Sequence, residues 1–495
     1  MKIAIVGAGS IGFTRRLVRD ILSVEELQDT EFAFQDISAA NLGLVATLCR
    51  RDIEANGVPA TVSTGTEREP ALDGADFVIN TARVGGLEGF RTDVEIPLKY
   101  GVDQCVGDTI CAGGLMYGQR TVPMILELVD EIERYAGADR VLLNYANPMA
   151  MNTWAALDHS PVQTIGLCHG VQGGHHLLAR LFERHVNDGR TEDDARFRRV
   201  TKADVDIVAA GINHQTWYHK VLFDGVDWAN DLLELFEADP VIREREKVRI
   251  DIIRRFGYFS TESNGHLSEY LPWYRKRPDE IRDWISTDAW ILGETGGYLR
   301  VCTENRNWFE TDFPKWRDGP AWDYAPEKRS DEHGSYIIES MTTGRVYRGH
   351  FNVRNDGIVT NLAGDAIVEV PGYVDRNGLS IPVVGDLHLG CAAICNNSIQ
   401  VQRMATQAAA TGDVELLKQA ILLDPLVGAV CNPPEVWQMV DEMLVAQAEW
   451  LPQYAEEIDA ARQRLASQPS LGRGDTVGAV RLKTRSVEEL QAAAD

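Results

Sequence analysis

Three short stretches carry the reactive side chains of this sequence, and each follows an apolar run that reads as a strand. They are Asn147, the pair Cys168-His169, and His214 at the end of Gly211-Ile212-Asn213-His214. A thiolate and an imidazole are good ligands for a first-row divalent ion, and a neighbouring imidazole can move a proton. Cys168 and His214 lie 46 residues apart, so spacing alone does not make them a metal pair. Taken by themselves they read as a buried cysteine and a satisfied histidine. His169 reads equally as a core histidine or an acid/base group, and His175 and His176 as helix-surface residues.

The elements that must position these groups begin at the first residues. Lys2 to Val6 is a β-branched apolar run suited to a buried parallel strand. Gly7-Ala8-Gly9-Ser10-Ile11-Gly12 follows at once, and Phe13 to Leu22 has helical spacing. Strand, glycine turn and helix, in that order, form a dinucleotide pyrophosphate site. In it Gly7 permits the tight turn, Gly9 lets backbone approach phosphate, and Gly12 lets the helix pack close to the strand. The second strand, Glu31 to Phe34, runs into Gln35-Asp36, and Asp36 lies 24 residues past Gly12. An acid there binds ribose hydroxyls and selects NAD over NADP. The competing reading of Asp36 is a helix cap before Ser38.

Further strands are expected at Asp76 to Thr81, Arg140 to Tyr145, and Val162 to Leu167, with Asp204 to Ala210 beyond. Asn80 and Arg83 fall at the end of the first of these, where open α/β sheets bind ligands. Asn147-Pro148 ends the second. The pattern predicts an α/β protein: an N-terminal Rossmann-type doubly wound sheet over residues 1–200 and a mixed α+β substrate and metal domain over 201–460. A C-terminal extension of low order, or an oligomer arm, is expected over 461–495. In the second half Asn352 to Ile358, Ala366 to Val370 and Ile381 to Val384 read as strands. Val401 to Ala410, Val414 to Ile421 and Glu435 to Gln447 read as helices, and residues 312 to 335 as a loop.

Composition excludes several classes. Lys and Arg total 49 against 74 Asp and Glu, a net charge of -25, so a polyanion is repelled and nucleic acid is excluded as a partner. No apolar run approaches the ~18–20 residues that span a bilayer. The N-terminus reads as a strand and not a signal peptide, so a cytoplasmic protein without a membrane partner is expected. The eight cysteines read as free thiols and, lacking a C-x-x-C pair, not as a zinc site. Cys391 and Cys395 are expected to pack as apolar groups. These features alone indicate an NAD-dependent dehydrogenase of small molecules.

Four motifs together add a family resemblance. Gly7-Ala8-Gly9-Ser10, Asn147-Pro148-Met149-Ala150, Cys168-His169-Gly170-Val171 and Gly211-Ile212-Asn213-His214 resemble, in this order, glycoside hydrolase family 4. The likeness continues through Gly257 to Ser263 and Asn352 to Gly357, about residues 1 to 455. Asn144 to Trp154 and Gly166 to His169 resemble its α-galactosidase branch, whereas Gly170 is similar to the α-glucosidase and α-glucuronidase branches.

The resemblance implies NAD and a divalent metal, usually Mn2+, in a redox-neutral hydrolysis of α-glycosides, α-galactosides first. Hydride leaves C3 of the sugar for NAD, a base takes the C2 proton, the C1 group is eliminated, water adds and the hydride returns; glycosidases of this kind stand outside the two-carboxylate scheme. The implied NAD ligands are Gly7, Gly9, Ser10 and Asp36, joined by Gly12 and Asn80 at the same strand ends. The implied metal ligands are Cys168 and His214. Asn147, Asp108, Arg83 and Arg354 are expected near the sugar, with Asp108 also readable as a helix cap. His169 is the expected leaving-group acid, and His266 and Tyr270 both stand as the C2 base. A small carbohydrate substrate and a homodimer or homotetramer complete the implication. Net NAD-linked dehydrogenation of a sugar or hydroxy acid, or NAD sensing without catalysis, are the alternatives.

Overall fold

The computed structural model describes residues 1–474 and 477–493, with backbone alone at positions 307, 308 and 310. Thirteen strands are named here in chain order: β1 Lys2–Val6, β2 Glu31–Gln35, β3 Thr61–Gly65, β4 Phe77–Asn80, β5 Val141–Asn144, β6 Gln163–Gly166, β7 Val205–Ile212, β8 Gln215–Phe223, β9 Val226–Asp227, β10 Phe259–Ser260, β11 Tyr347–Arg354, β12 Ile367–Asp375 and β13 Gly378–Ser380.

The first six pair in parallel in the order β3-β2-β1-β4-β5-β6, the doubly wound order with a switch point between β1 and β4. Both faces of β1, β2, β4 and β5 are covered, which is why they are apolar along most of their length rather than at alternate positions, whereas the edge strand β3 is polar and partly exposed. Ala4, Val6, Val78 and Leu142 pack against the helix Cys111–Tyr135 and, beyond it, Met439 and Leu444. Ile3, Ile5, Ile79 and Leu143 pack on the opposite side against the helices Ile11–Leu22, Ala39–Asn56 and His333–Thr343.

The sheet does not stop where the Rossmann unit ends. Gly166 of β6 pairs with Asn352 of β11, antiparallel, and the path continues through β12, β7 and β8 to β10. One sheet therefore crosses position 200 and joins the two halves of the chain. Gly166 is required at the junction: a Cβ there would lie 2.4 Å from Met149 Sδ and 2.6 Å from Thr153 Oγ1, on the helix that packs over it.

Three expectations differ from what is observed. Lys315 to Asp318 belong to the helix Gly297–Asp318 instead of a loop; their polarity is that of a helix half exposed to water. Ile381 to Val384 form no strand, because β12 turns back into β13 at Gly378 and its pairing ends at Ser380. The tail does not trail away. Ala479 N–H donates to Asp103 at 2.9 Å, Thr295 N–H donates to Val480 O at 2.8 Å, and Arg485 pairs with Glu304 at 2.7 Å. These contacts hold residues 479–485 on the body of the protein. Among the described residues no helix is long and apolar enough to cross a membrane. Cys391 and Cys395 are buried among apolar neighbours, as expected.

Candidate active site

A cavity of about 830 Å3 opens at the C-terminal ends of β4, β5 and β6. Its walls begin with Ser10 and Phe13 at the start of the first helix, take in Thr81 to Arg83, Ala146 and Asn147, and reach Cys168 to Gly170. The hairpin between β7 and β8 and the segment Thr261 to Ser263 close the far side. Parallel strands deliver these loops to one edge because all of them point the same way.

The glycine turn is built as its residue types require. Gly7 has φ +84°, and a Cβ there would meet Ala82 N at 2.6 Å. Asp36 sits over the turn: one carboxylate oxygen accepts Gly9 N–H and the other accepts Ser38 N–H, both at 2.8 Å. The cap of the following helix is Ser38, whose hydroxyl accepts Asn41 N–H, so Asp36 is not a cap. The packing role expected of Gly12 is not borne out. That residue is exposed and a Cβ would meet nothing within 4 Å, since the helix leans on the strand through later side chains. Asn80 is fully buried, donating to Asn144 Oδ1 at 2.9 Å and accepting Ala82 N–H at 3.2 Å. It holds the turn before Arg83 and is not among the residues that line the cavity.

Cys168 and His214, remote in sequence, meet on the cavity floor, and Glu262 joins them. One ligand atom from each lies within 4.8 Å of the other two. His214 stands at the tip of the β7–β8 hairpin with φ +65°, a left-handed conformation that costs a non-glycine residue about 1–2 kcal/mol and that clusters at functional sites. Its Nε2 faces Glu262 at 3.8 Å. Its Nδ1 is held by Tyr270 OH and His266 Nε2, each at 2.9 Å. An imidazole presented in this way, one nitrogen free and the other fixed by hydrogen bonds, is how metal-binding histidines are held.

Behind it, His266 Nδ1 meets Glu269 at 2.6 Å, and Glu269 in turn accepts the backbone N–H groups of Cys105, Val106 and Gly107. Burial works against a charged His266, but with no cation bound the Glu269 hydrogen bond and the charges of Glu269, Glu262 and Asp108 raise its pKa to about 9; a cation on His214 Nε2 requires His214 Nδ1–H to donate to His266 Nε2, which is then neutral. Burial likewise opposes an ionised Glu262, yet His214, His266 and Arg249 hold its pKa below the usual range. Burial, with Glu369 and Glu262, pushes the Cys168 thiol well up. A bound cation would reverse that, because a coordinating thiol is deprotonated.

The expectation that His266 or Tyr270 serves as a free base does not fit this geometry. Both ring nitrogens of His266 are engaged, and Tyr270 is fully buried with its hydroxyl on His214. Both hold His214 Nδ1, and the rings beside Tyr270 among the described residues are those of His214 and His266. Asp108 accepts Asn147 Nδ2 at 3.1 Å and pairs with Arg83 at 3.2 Å. Arg83 lies over Phe90 and Tyr117, 4.6 and 4.8 Å from their ring centres. Its buried Nη1 has no hydrogen-bond partner among the described residues. Arg354 is elsewhere: it pairs with Asp158 at 2.5 Å outside the cavity, because β11 ends with that side chain turned toward the helix Met149–His159.

His169 lines the cavity, and its Nε2 meets the buried carboxylate of Glu332 at 2.6 Å. Sequence reasoning gave no role to Glu262, Glu269 or Glu332. Acidic residues are frequent in this chain, and only their burial and partners set these three apart. The position of Gly170 was legible, its reason was not: a Cβ there would lie 2.8 Å from Glu262 Oε1, so glycine leaves the room that the carboxylate occupies.

The fold and this site define a Rossmann-type α/β protein whose cavity holds a Cys-His-Glu group able to take a cation, together with Ser10 and Phe13 beside the glycine turn. The chain belongs to family 4 of the glycosyl hydrolases. Residues 2–184 match the family's model and residues 209–427 match that of its C-terminal domain. It is 54% identical to the alpha-galactosidase of Rhizobium meliloti strain 1021, over 99% of this chain and 97% of that protein. Its fold is similar to that of the Bacillus subtilis protein lplD, with TM-score 0.75 and 27% identity over 90% of this chain and 99% of the other. It also shares the fold of a 6-phospho-beta glucosidase from Thermotoga maritima solved with manganese, NAD+ and glucose-6-phosphate. That likeness has TM-score 0.69 and 22% identity over 91% of this chain and 99% of the other.

Proposed function

We propose that this enzyme hydrolyses α-galactosides without net redox change, using NAD and a divalent cation, Mn2+ first among them. The observation that carries the reading is the Cys168–His214–Glu262 cradle in one cavity with Ser10 and Phe13 at the start of the first helix, in a chain 54% identical to an alpha-galactosidase. The donor set fits a cation: a sulfur, an imidazole nitrogen and a carboxylate oxygen, with the second imidazole nitrogen already held. The glycine turn fits a dinucleotide, with Asp36 at the ribose position and the first helix N-terminus beside it. When bound, NAD would take and return hydride at the sugar C3, and the cation would polarise the oxygen on that carbon.

The chain's own groups do the rest. Asp108, Asn147 and Arg83 form one hydrogen-bonded set, and the unpartnered Arg83 Nη1 serves to orient a sugar oxygen. Glu262 has two duties: third donor in the sugar-free site, and acceptor of the C2 proton once sugar oxygens stand beside Cys168 and His214. Its depressed pKa keeps it ionised for both. His169, steadied by Glu332, supplies the proton for the leaving oxygen at C1 and then orients water for the return step.

The test is a panel of nitrophenyl α- and β-glycosides (galactoside, glucoside, glucuronide) with NAD, Mn2+ and a reducing thiol, following nitrophenol and NADH together. Nitrophenol from the α-galactoside, dependent on both additions and without accumulating NADH, is the expected result. NADH rising on a free sugar or hydroxy acid, with no glycoside cleaved, would replace this reading with a dehydrogenase. Cleavage of the glucoside or glucuronide instead would move the enzyme to another branch, the one suggested by Gly170.

A further inference from the structure

One wall of the catalytic cavity comes from a single stretch of chain. Trp290, Ile291 and Leu292 line the cavity ahead of the helix Gly297–Asp318, and Tyr298 and Cys302 line it from that helix's first turns. The Trp290 and Tyr298 rings stack with centres 5.1 Å apart, and the Arg83 guanidinium lies 5.7 Å from the centre of Tyr298. On its inner side the stretch is tied to the body of the protein: Gly296 N–H donates to Gln104 O at 2.8 Å and Tyr298 N–H to Cys105 O at 3.3 Å. Trp290 also lines a second, smaller crevice of about 280 Å3, and the other residues around that crevice include Arg485 and Leu490 of the C-terminal tail.

The tail grips this stretch at two points. The first is Thr295, which is buried between Leu292 and Tyr298 in the chain. Its N–H donates to Val480 O at 2.8 Å, and its Oγ1 accepts Val480 N–H at 3.2 Å. The same hydroxyl donates at 2.8 Å to Asp103, a buried carboxylate that also accepts Ala479 N–H at 2.9 Å. Gly478 has φ +77°, and a Cβ there would lie 2.4 Å from Thr295 Cγ2, so the tail meets Thr295 with no room for a side chain. The second point is Glu304, just past Cys302. This buried carboxylate accepts Arg485 backbone N–H, Nε and Nη2 at 3.0, 3.2 and 2.7 Å. Leu490, on the helix Val487–Ala492, is buried as well. Asp103 and Glu304 each lose donors if the tail leaves, and a buried carboxylate stripped of a donor is costly. The stretches that match the family's models end at residue 427, so this second support is additional to them.

We propose that residues 477–493 form a latch that positions this wall of the cavity, with Gly478 and Arg485 as its positioning residues. The tail fixes Thr295 and Glu304, and the side chains between and beside them, Trp290, Tyr298 and Cys302, are the ones that face the substrate. Without the tail the stretch keeps its ties to Gln104 and Cys105, so the wall loosens but stays in place. The grips fall on Thr295, Asp103 and Glu304, none of which belongs to the Cys168–His214–Glu262 cradle or the glycine turn. The latch therefore acts on how tightly sugar is held, and cation and NAD binding are left as they were. Its effect on sugar rests on the glycosidase reading above; its effect on the wall does not.

The experiment takes the enzyme loaded with NAD and Mn2+ and compares the full chain with a deletion of residues 477–495 and with Gly478→Val and Arg485→Ala. Backbone hydrogen exchange is followed by mass spectrometry over residues 288–304, and KM and kcat are measured with nitrophenyl α-galactoside. In the deletion, amides of 288–304 exchange about tenfold faster or more, as expected when a local opening loses its hydrogen bonds, while those of the β7–β8 hairpin keep the wild-type rate. KM rises about tenfold, the range for one hydrogen bond lost to a charged group, with kcat little changed, the pattern of lost uniform binding. Gly478→Val gives the same changes by forcing the tail off Thr295. Arg485→Ala raises KM about two- to fivefold, since that arginine is half exposed, and Arg485→Lys recovers part of the loss. If the deletion does not fold, the two point variants decide. Wild-type exchange over 288–304 in Gly478→Val and Arg485→Ala would overturn the latch, and so would faster exchange with KM unchanged, which would make the tail a structural brace alone. A wild-type enzyme that cleaves no glycoside would overturn the glycosidase reading instead, and the exchange rates would still test the hold of the tail on the wall.

Discussion

Replacing Glu269 by Gln tests whether the cation cradle depends on the relay behind it. Glu269 and His266 are 1% and 4% exposed and meet at 2.6 Å. Glutamine keeps the size and one oxygen for the backbone N–H groups of Cys105 to Gly107, but removes the counter-charge of His266. Breaking one partner of a buried ion pair costs about 3–5 kcal/mol of stability. The loss falls on the element that presents His214, because His266 Nε2 holds His214 Nδ1. Losing the partner that orients a metal-binding histidine typically weakens metal affinity 10- to 100-fold. Mn2+ titration followed by electron paramagnetic resonance should therefore show a Kd raised by about one to two orders of magnitude. Calorimetric NAD affinity stays close to wild type, since the glycine turn shares no partner with Glu269. Thermal denaturation reports the stability loss separately. A folded Glu269→Gln protein that binds Mn2+ as the wild type does would refute the reasoning: His214 would then be held by its hairpin alone.

Three other expectations follow from single sites. Gly170→Ser places a Cβ where Glu262 Oε1 lies at 2.8 Å, so Mn2+ affinity should fall about tenfold; unchanged binding would show that Glu262 is not a donor. Asp36→Ala removes the carboxylate at the ribose position and the brace on Gly9 N–H. Calorimetry should show NAD affinity reduced about tenfold, as for one hydrogen bond to a charged group, with discrimination against NADP reduced. His350 is buried, and burial, with His333, His175 and Arg348 nearby, lowers its pKa to about 3, while Ala209 N–H donates to its Nε2 at 3.3 Å. A folded pKa below the unfolded one of ~6.5 means stability present above that pH and lost as pH falls toward 3, about 2 kcal/mol by pH 5. His350→Gln should flatten the decline of the denaturation midpoint between pH 8 and 5, and an equally steep decline would count against it.

Much of this molecule was determined by the sequence alone, where the determinants are local. A strand buried on both faces must be apolar along most of its length, and a turn with φ +84° against Ala82 must be glycine; both are visible as residue types in order. Asp36 was readable for the same reason, since its distance from the turn is one helix and one strand of chain. The order of motifs was legible enough to name the family and to nominate Cys168, His169, His214 and Asn147.

Tertiary structure decided everything that depends on residues far apart in the chain. Cys168 ends β6 and His214 tips the β7–β8 hairpin, and the strands lying between β6 and β7 in the sheet are β11 and β12, drawn from more than a hundred residues later. No spacing rule reaches across that arrangement. The third donor, Glu262, and the buried partners Glu269 and Glu332 are acids among 74. What sets them apart is desolvation and the charges facing them, which exist only once the chain is packed. The same cause moved His266 and Tyr270 from free bases to supports, and Arg354 and Asn80 from ligands to structural groups. A side chain's type is written in the sequence, but whether its polar atoms face a ligand or a neighbour is settled by the packing around it.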